Sequence, residues 1–202
     1  MADGQIPGID VSHYQGTVDW PQVAGAGMAY AFVKATQGVS TVDSQFAVNW
    51  PGLKAAGLLR GAYHFYQPGD DPQQQAEHFL SVVSPEPGDL LPVLDIETMG
   101  SQTASEIVQG IGVWLQTVQT AIGRGPIVYT APGFWNGLGT QQFGTYPLWV
   151  AEYGCSSPKI PAGWTSWAFW QYSESGSVAG VTGTVDLDVF QGSPQALLQV
   201  TL

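Results

Sequence analysis

Short apolar runs separated by polar segments recur along the first two thirds of the chain. Five of them read as strands: residues 6–11, 28–35, 60–66, 90–98 and 127–130. The near-continuous apolar runs among them are the pattern of a strand covered on both faces. Helical segments fall between. Asp19 can cap a short helix with Pro21 in its first turn, and Asp43 is expected to cap a second that runs to about Ala56 and stops at Gly57. Asp71-Pro72 opens a third, through Phe79 to Val83. Thr103-x-x-Glu106 is a capping box for a long helix to about Ile122. A short helical piece is expected near Phe134-Trp135. The rhythm then changes. Residues 147–151, 167–172 and 184–190 read as three more strands, with turn-forming Gly, Ser and Pro between them and no convincing helix. A final helix is expected after Pro194.

Eight strands with helices confined to the first five units predict an α/β fold. Strand–helix alternation implies parallel pairing and right-handed crossovers. The expected architecture is an irregular TIM-like barrel, (β/α)5(β)3, with about five helices, whose last part has lost its helical layer. No linker or charge block divides the chain. Its 202 residues, enough for a sizeable core, are expected to form one catalytic domain spanning 1–202.

The run Leu90-Leu91-Pro92-Val93-Leu94-Asp95-Ile96-Glu97-Thr98 adds chemistry to this frame. Residues i and i+2 of a strand point the same way, so Asp95 and Glu97 share a face. Two acids side by side at the end of so apolar a strand repel each other and lose hydration, which pushes their pKa values apart. The plainer reading is a strand end running into a solvated acidic loop. Acids recur elsewhere at strand ends: Asp10 on the first, Asp186 and Asp188 on the last. In a parallel barrel those ends share one rim, and closure makes the first and last strands neighbours. Taken singly, each Asp could begin a turn or sit on an edge. Tyr14, Tyr63, Tyr129, Trp149, Tyr153, Trp170 and Tyr172 stand beside these acids, and His13 and His64 flank the same rim.

Composition narrows the ligand. The chain is 44% hydrophobic and 10% charged, with 8 Trp, 8 Tyr and 8 Phe, which suits an uncharged polar ligand such as a glycan. A net charge of −11 argues against nucleic acid and against docking on an anionic membrane. The single Cys155 excludes an internal disulfide and a Cys-based zinc cage, and no His spacing suits a metal, so no cofactor or metal is expected. No apolar run is long enough to span a membrane, and the N-terminus lacks the pattern of a signal peptide.

Ordered blocks in the chain resemble a known family. They are Asp10-Val11-Ser12-His13-Tyr14-Gln15-Gly16, Phe32-Val33-Lys34-Ala35-Thr36, Gly61-Ala62-Tyr63-His64-Phe65, Leu94-Asp95-Ile96-Glu97, Leu148-Trp149-Val150-Ala151-Glu152-Tyr153, Trp170-Gln171-Tyr172 and Val185-Asp186-Leu187-Asp188. From about Ile6 to Phe190 the sequence resembles the glycoside hydrolase family 25 lysozymes, the Chalaropsis-type N-acetylmuramidases. The resemblance implies cleavage of the β-1,4 bond between N-acetylmuramic acid and N-acetylglucosamine in peptidoglycan. It implies Glu97 as general acid, Asp95 as its partner, and Asp10 and Asp186 as further cleft acids. Tyr63, Tyr129, Trp149, Tyr153, Gln171 and Asp188 are the candidate substrate-binding positions. Two departures stand out: Gln37-Gly38 replaces the usual Glu-Gly, and Asp188 stands where the family often has Asn.

Glycosidases pair a protonated acid with an ionised carboxylate, and a substrate's own 2-acetamido group can replace the second carboxylate as nucleophile. The favoured reading has Asp95 orienting that acetamide while Glu97 protonates the leaving oxygen. An inverting path, with water activated by Asp95 or Asp186, is the alternative. From other classes come a catalytically weak peptidoglycan- or chitin-binding module, disfavoured because all four acids are present, and a metal-dependent deacetylase, disfavoured by the missing His pair. The partner expected is cell-wall peptidoglycan, met by a monomer that is secreted or released as a phage endolysin.

Overall fold

A computed structural model describes residues 4–202. Its strands are β1 (Gln5–Val11), β2 (Tyr30–Gln37), β3 (Thr41–Val42), β4 (Leu59–Phe65), β5 (Val93–Asp95), β6 (Ile127–Thr130), β7 (Leu148–Ala151), β8 (Phe169–Gly176) and β9 (Val185–Gln191). Its helices are α1 (Trp20–Gly25), α2 (Phe46–Ala55), α3 (Pro72–Val82), α4 (Ala104–Ile122), α5 (Pro132–Leu138) and α6 (Pro194–Leu197), with 3₁₀ turns at His13–Gln15 and Leu198–Val200.

One sheet runs in the order β1-β9-β8-β7-β6-β5-β4-β2-β3, and β1 also pairs with β2. Eight strands therefore close a barrel, and the two-residue β3 hangs from β2 as an extra antiparallel ribbon. Pairing is parallel from β1 through β2, β4, β5, β6 and β7 to β8. The last strand departs from the all-parallel expectation: β9 is antiparallel to both β8 and β1. The physical reason lies in the β8–β9 connection. Without a crossover helix, a short Gly- and Ser-containing segment can only turn the chain back on itself.

The caps at Asp19, Asp71 and Thr103 form as expected, the last as a full capping box with Glu106. Asp43 does not cap α2, whose N-cap is Gln45. Its carboxylate is instead taken by the Gln45 N–H at 2.9 Å, the His13 N–H at 3.1 Å and His13 Nδ1 at 2.7 Å.

Period-two alternation divides two cores. Tyr30, Phe32, Val93, Ile127, Trp149 and Phe169 point into the barrel, where the Phe32 ring stacks on Trp149 with centroids 4.4 Å apart. Two glycines make room for these rings. A Cβ on Gly8 would stand 2.4 Å from the Tyr30 ring, and one on Gly61 2.3 Å from Phe32. The alternate positions Ile9, Val33, Leu94, Val128 and Val150 face outward into the layer that holds Phe79 and Trp114. His64, expected at the rim, lies in this outer layer instead. It is fully buried, donates from Nε2 to Gln75 Oε1 at 3.0 Å, accepts at Nδ1 from Thr36 Oγ1 at 2.7 Å, and stacks on Trp114. Burial pulls its pKa down to about 4.

At the end of the barrel where the parallel strands begin, a paired charge is buried on the outer side of the wall. Arg60 on β4 donates from Nε to Asp89 Oδ1 at 2.7 Å and from Nη2 to Asp89 Oδ2 at 3.0 Å. Its guanidinium lies 4.1 Å over the Trp50 ring. Both partners are buried.

Candidate active site

At the opposite end the inward alternation passes from apolar to polar in a single step. On four strands an inward residue of the apolar layer is followed, two positions along, by a cleft residue. Phe32 gives way to Lys34 on β2, Gly61 to Tyr63 on β4, Val93 to Asp95 on β5, and Phe169 to Gln171 on β8. The cleft they form has a volume of about 250 Å³.

Four predicted acids meet there: Asp10, Asp95, Glu97 and Asp186 all line the cleft. Asp186 reaches it from the N-terminal end of its strand, opposite to expectation. Because β9 runs antiparallel, that end lies at the same mouth as the C-terminal end of β1, and Asp10 pairs with Asp186 in register. Asp188 shares the inward face with Asp186 but sits one layer deeper. It is 1% exposed and does not reach the cleft; Trp149 Nε1 donates to its Oδ1 at 2.9 Å.

β5 ends at Asp95, yet extended pairing continues past it. The Ile96 N–H donates to Tyr129 O at 3.0 Å, and Thr130 Oγ1 donates to Ile96 O at 2.9 Å. This holds the backbone that carries Glu97 on the cleft side. The two acids differ in environment: Asp95 is 6% exposed, whereas Glu97 opens to the cleft solvent. Among the described residues, no group bonds to Asp95 Oδ1.

These carboxyls are held away from their ordinary acidity. Burial, and then the neighbouring Glu97, push Asp95 well above the usual carboxylate range. Glu97 is raised by partial desolvation, with Lys34 opposing. Burial followed by Asp186 raises Asp10, and burial followed by Asp10 raises Asp188. Asp186 is pushed up to about 6 by burial and then by Glu174. Lys34 is the one lysine or arginine on the cleft; its Nζ donates to Gln37 Oε1 at 2.7 Å and lies 4.6 Å from the Phe65 ring centroid.

Of the predicted ligand-binding positions, Tyr63, Tyr129, Trp149, Tyr153 and Gln171 line the cleft. Tyr14 also lines it and is 83% exposed. Trp170 does not; it faces the outer layer and donates from Nε1 to Glu152 O at 2.8 Å. Sequence reasoning missed Lys34 and Glu174. Alternation from Tyr30 and Phe32 signals Lys34. Nothing signals Glu174, because irregular pairing beyond Gln171 breaks the period-two count on β8. Among the described residues, no group of three or more His, Cys, Asp or Glu side chains could hold a metal ion. No helix among them is long and apolar enough to cross a membrane.

A barrel with acids gathered at one mouth has close counterparts among solved structures. It overlays the bacterial lysozyme from Streptomyces coelicolor with a TM-score of 0.93 at 36% identity, covering 99% of this chain and 98% of that one. It overlays a family 25 glycosyl hydrolase from Bacillus anthracis with a TM-score of 0.91 at 26% identity, covering 100% and 96%. Among curated sequences, Lysozyme M1 of Streptomyces globisporus is 37% identical over 206 residues, covering 96% of this chain and 70% of the relative. The N,O-diacetylmuramidase of Chalaropsis is 31% identical over 202 residues, covering 90% and 96%. The class they define is that of the glycoside hydrolases, and this protein is one. The model of the family described as Glycosyl hydrolases family 25 matches residues 9–181, and the chain belongs to that family.

Proposed function

We propose that this protein is a lysozyme that hydrolyses the β-1,4 bond between N-acetylmuramic acid and N-acetylglucosamine in peptidoglycan. The observation that carries the reading is the Asp95–Glu97 pair. One carboxyl opens to the cleft with raised proton affinity, and the other is buried with an oxygen that no group among the described residues satisfies. A raised, accessible carboxyl is suited to giving a proton to the leaving oxygen, which is the role assigned to Glu97. The Asp95 carboxyl lines the cleft and is suited to accepting an N–H from substrate. Asp95 is assigned the acetamide N–H, orienting that group for attack on the anomeric carbon and stabilising the charge it develops. Asp10 and Asp186 complete the acidic wall, and Tyr63, Tyr129, Trp149, Tyr153 and Gln171 frame the sugar. Asp188 acts from beneath, through Trp149.

The names of the relatives, lysozyme and N,O-diacetylmuramidase, support the substrate. The likeness to an endolysin structure, 28% identical with a TM-score of 0.78, supports an enzyme that meets the wall after secretion or release. We further propose that residues 1–202 act as a single catalytic unit and as a monomer. The test is digestion of purified peptidoglycan followed by identification of the new reducing ends. N-acetylmuramic acid at those ends is the expected result. N-acetylglucosamine ends, or free amines from deacetylation, would refute the proposal.

A further inference from the structure

Gln171 lies beneath the cleft, 3% exposed, and joins three side chains that line it. Its Nε2 donates to Asp10 Oδ2 at 2.6 Å. Its Oε1 accepts from Tyr129 Oη at 2.8 Å and from Tyr153 Oη at 2.6 Å. Three strands and a loop are tied through this one amide: β1 by Asp10, β6 by Tyr129, β8 by Gln171 itself, and the segment after β7 by Tyr153.

The donor and acceptor inventory fixes what this amide does to its neighbours. The Gln171 amide NH₂ faces Asp10, whose Oδ2 accepts from it. The amide oxygen then faces the two phenols, and each phenol has one proton to give. Both protons are committed to Gln171. What Tyr129 and Tyr153 turn toward the cleft is lone pairs alone.

We infer that Gln171 is a positioning residue that sets the hydrogen-bond polarity of the cleft wall, making Tyr129 and Tyr153 acceptors for donor groups on the sugar. The inference deepens the lysozyme reading and rests on it. It gives that wall a selection rule. A sugar hydroxyl or amide N–H is held there, and a group that offers only lone pairs is rejected, because two acceptors would face each other with no proton between them. Tyr129 is in register with Asp95, so the rule applies beside the proposed acetamide site. The groups facing Gln171 are Asp10 on β1, Asp188 opposite it on β9, Tyr129 on β6 and Tyr153. Asp186 presses on Asp10 and Tyr153, and Glu174 on Asp186 and Tyr153.

The critical variant is Gln171→Glu, which keeps the shape. Its carboxyl can still accept from both phenols but can face Asp10 only while a proton lies between the two carboxyls. Its glycan-hydrolysing activity is expected within a few-fold of the parent near pH 4–5, then to fall by roughly tenfold or more relative to the parent by pH 7, the scale of one hydrogen bond to a charged group. Gln171→Met, which cannot orient the phenols, is expected to raise KM by roughly tenfold at every pH with kcat little changed. A Gln171→Glu pH profile that superimposes on the parent's would overturn the inference. A measurement without substrate separates its failure from that of the lysozyme reading. In the parent, the Gln171 side-chain amide protons are expected to be protected from exchange and shifted downfield in the NMR spectrum, and to move upfield in Asp10→Asn. A freely exchanging amide would overturn the inference even if the enzyme proves to be a muramidase.

Discussion

The two ends of this barrel both bury charge and treat it in opposite ways. Where the parallel strands begin, Arg60 and Asp89 are paired, doubly hydrogen-bonded and covered by Trp50. At the cleft, Asp10 and Asp95 are buried among their own kind, with Asp188 one layer beneath, and among the described residues Lys34 is the one lysine or arginine that lines the wall. A buried ion pair with both partners satisfied sits near electrostatic neutrality, whereas clustered carboxyls must take up protons or carry repulsion. The comparison teaches how to tell a structural charge from a working one. Burial alone does not separate them; the sign of the neighbours does. At the first end opposite charges hold an assembly together. At the second, burial raises proton affinity and like-charged neighbours around Asp10, Asp95, Asp186 and Asp188 add to it, which a proton-donating site needs and a scaffold does not.

The comparison breaks most visibly if the acids can be neutralised one at a time. Glu97→Gln is expected to keep the fold and reduce peptidoglycan hydrolysis by about 10²–10⁴-fold, the range for losing a general acid. Activity within a few-fold of the parent, measured on purified walls with circular dichroism unchanged, would remove Glu97 from its role. At the other end, Asp89→Ala leaves the buried Arg60 with only the exposed Glu86 Oε1 at 3.4 Å and Trp50 O at 3.2 Å. A loss of about 3–5 kcal/mol in unfolding free energy is expected by denaturant titration, with kcat of the folded fraction unchanged. If kcat fell as well, the two ends would be coupled and the division between scaffold and site would fail.

Two smaller effects sharpen the contrast. Asp186 has its proton affinity raised in the folded state, from 3.8 to about 6, so the folded protein holds a proton that the unfolded chain has released between those values. Stability therefore falls as pH rises through that window and then levels. Asp186→Asn is expected to remove this fall. It should match the parent near pH 3 and exceed it by about 1 kcal/mol at pH 7, after allowing for solvent screening of a partly exposed group. Thermal melts across pH 3–7 read it directly. The smallest effect concerns Lys34, whose charge favours the ionised form of Glu97. Lys34→Met should raise the Glu97 pKa and carry the alkaline limb of kcat/KM upward by a few tenths of a pH unit. A downward shift would mean that Lys34 acts on some other group.

Most of the barrel is legible in the sequence because its signals are local. Caps at Asp19, Asp71 and Thr103 and the apolar runs of β2, β4 and β6 each depend on a few adjacent residues. Strand direction depends instead on the connection between strands, and nothing within Val185–Gln191 says which way it points. Parallel β9 was expected and antiparallel β9 is found, yet Asp186 still arrives at the right mouth. A reversed strand with its acid at the opposite terminus lands in the same place. The depth of Asp188 was illegible for a related reason. Alternation assigns a face but not a layer, and one step of two residues separates a cleft acid from a buried one. Asp43 carried a cap signal that the fold gave to His13, since a short acidic side chain takes whichever N–H lies nearest.

The antiparallel final strand has a geometric consequence for how this barrel can be joined to other things. β1 enters from the end opposite the cleft, and β9, running the other way, leaves at that same end, where the Gly192 N–H donates to Gly4 O at 3.0 Å. The last residues stay there: the Leu202 N–H donates to Asp89 O at 2.9 Å. Gly4 and Leu202, the two ends of the described residues, thus lie at the end of the barrel opposite the cleft. A tether, an affinity handle or a whole additional module fused at either terminus would trail behind the enzyme like a keel and leave the cleft unobstructed.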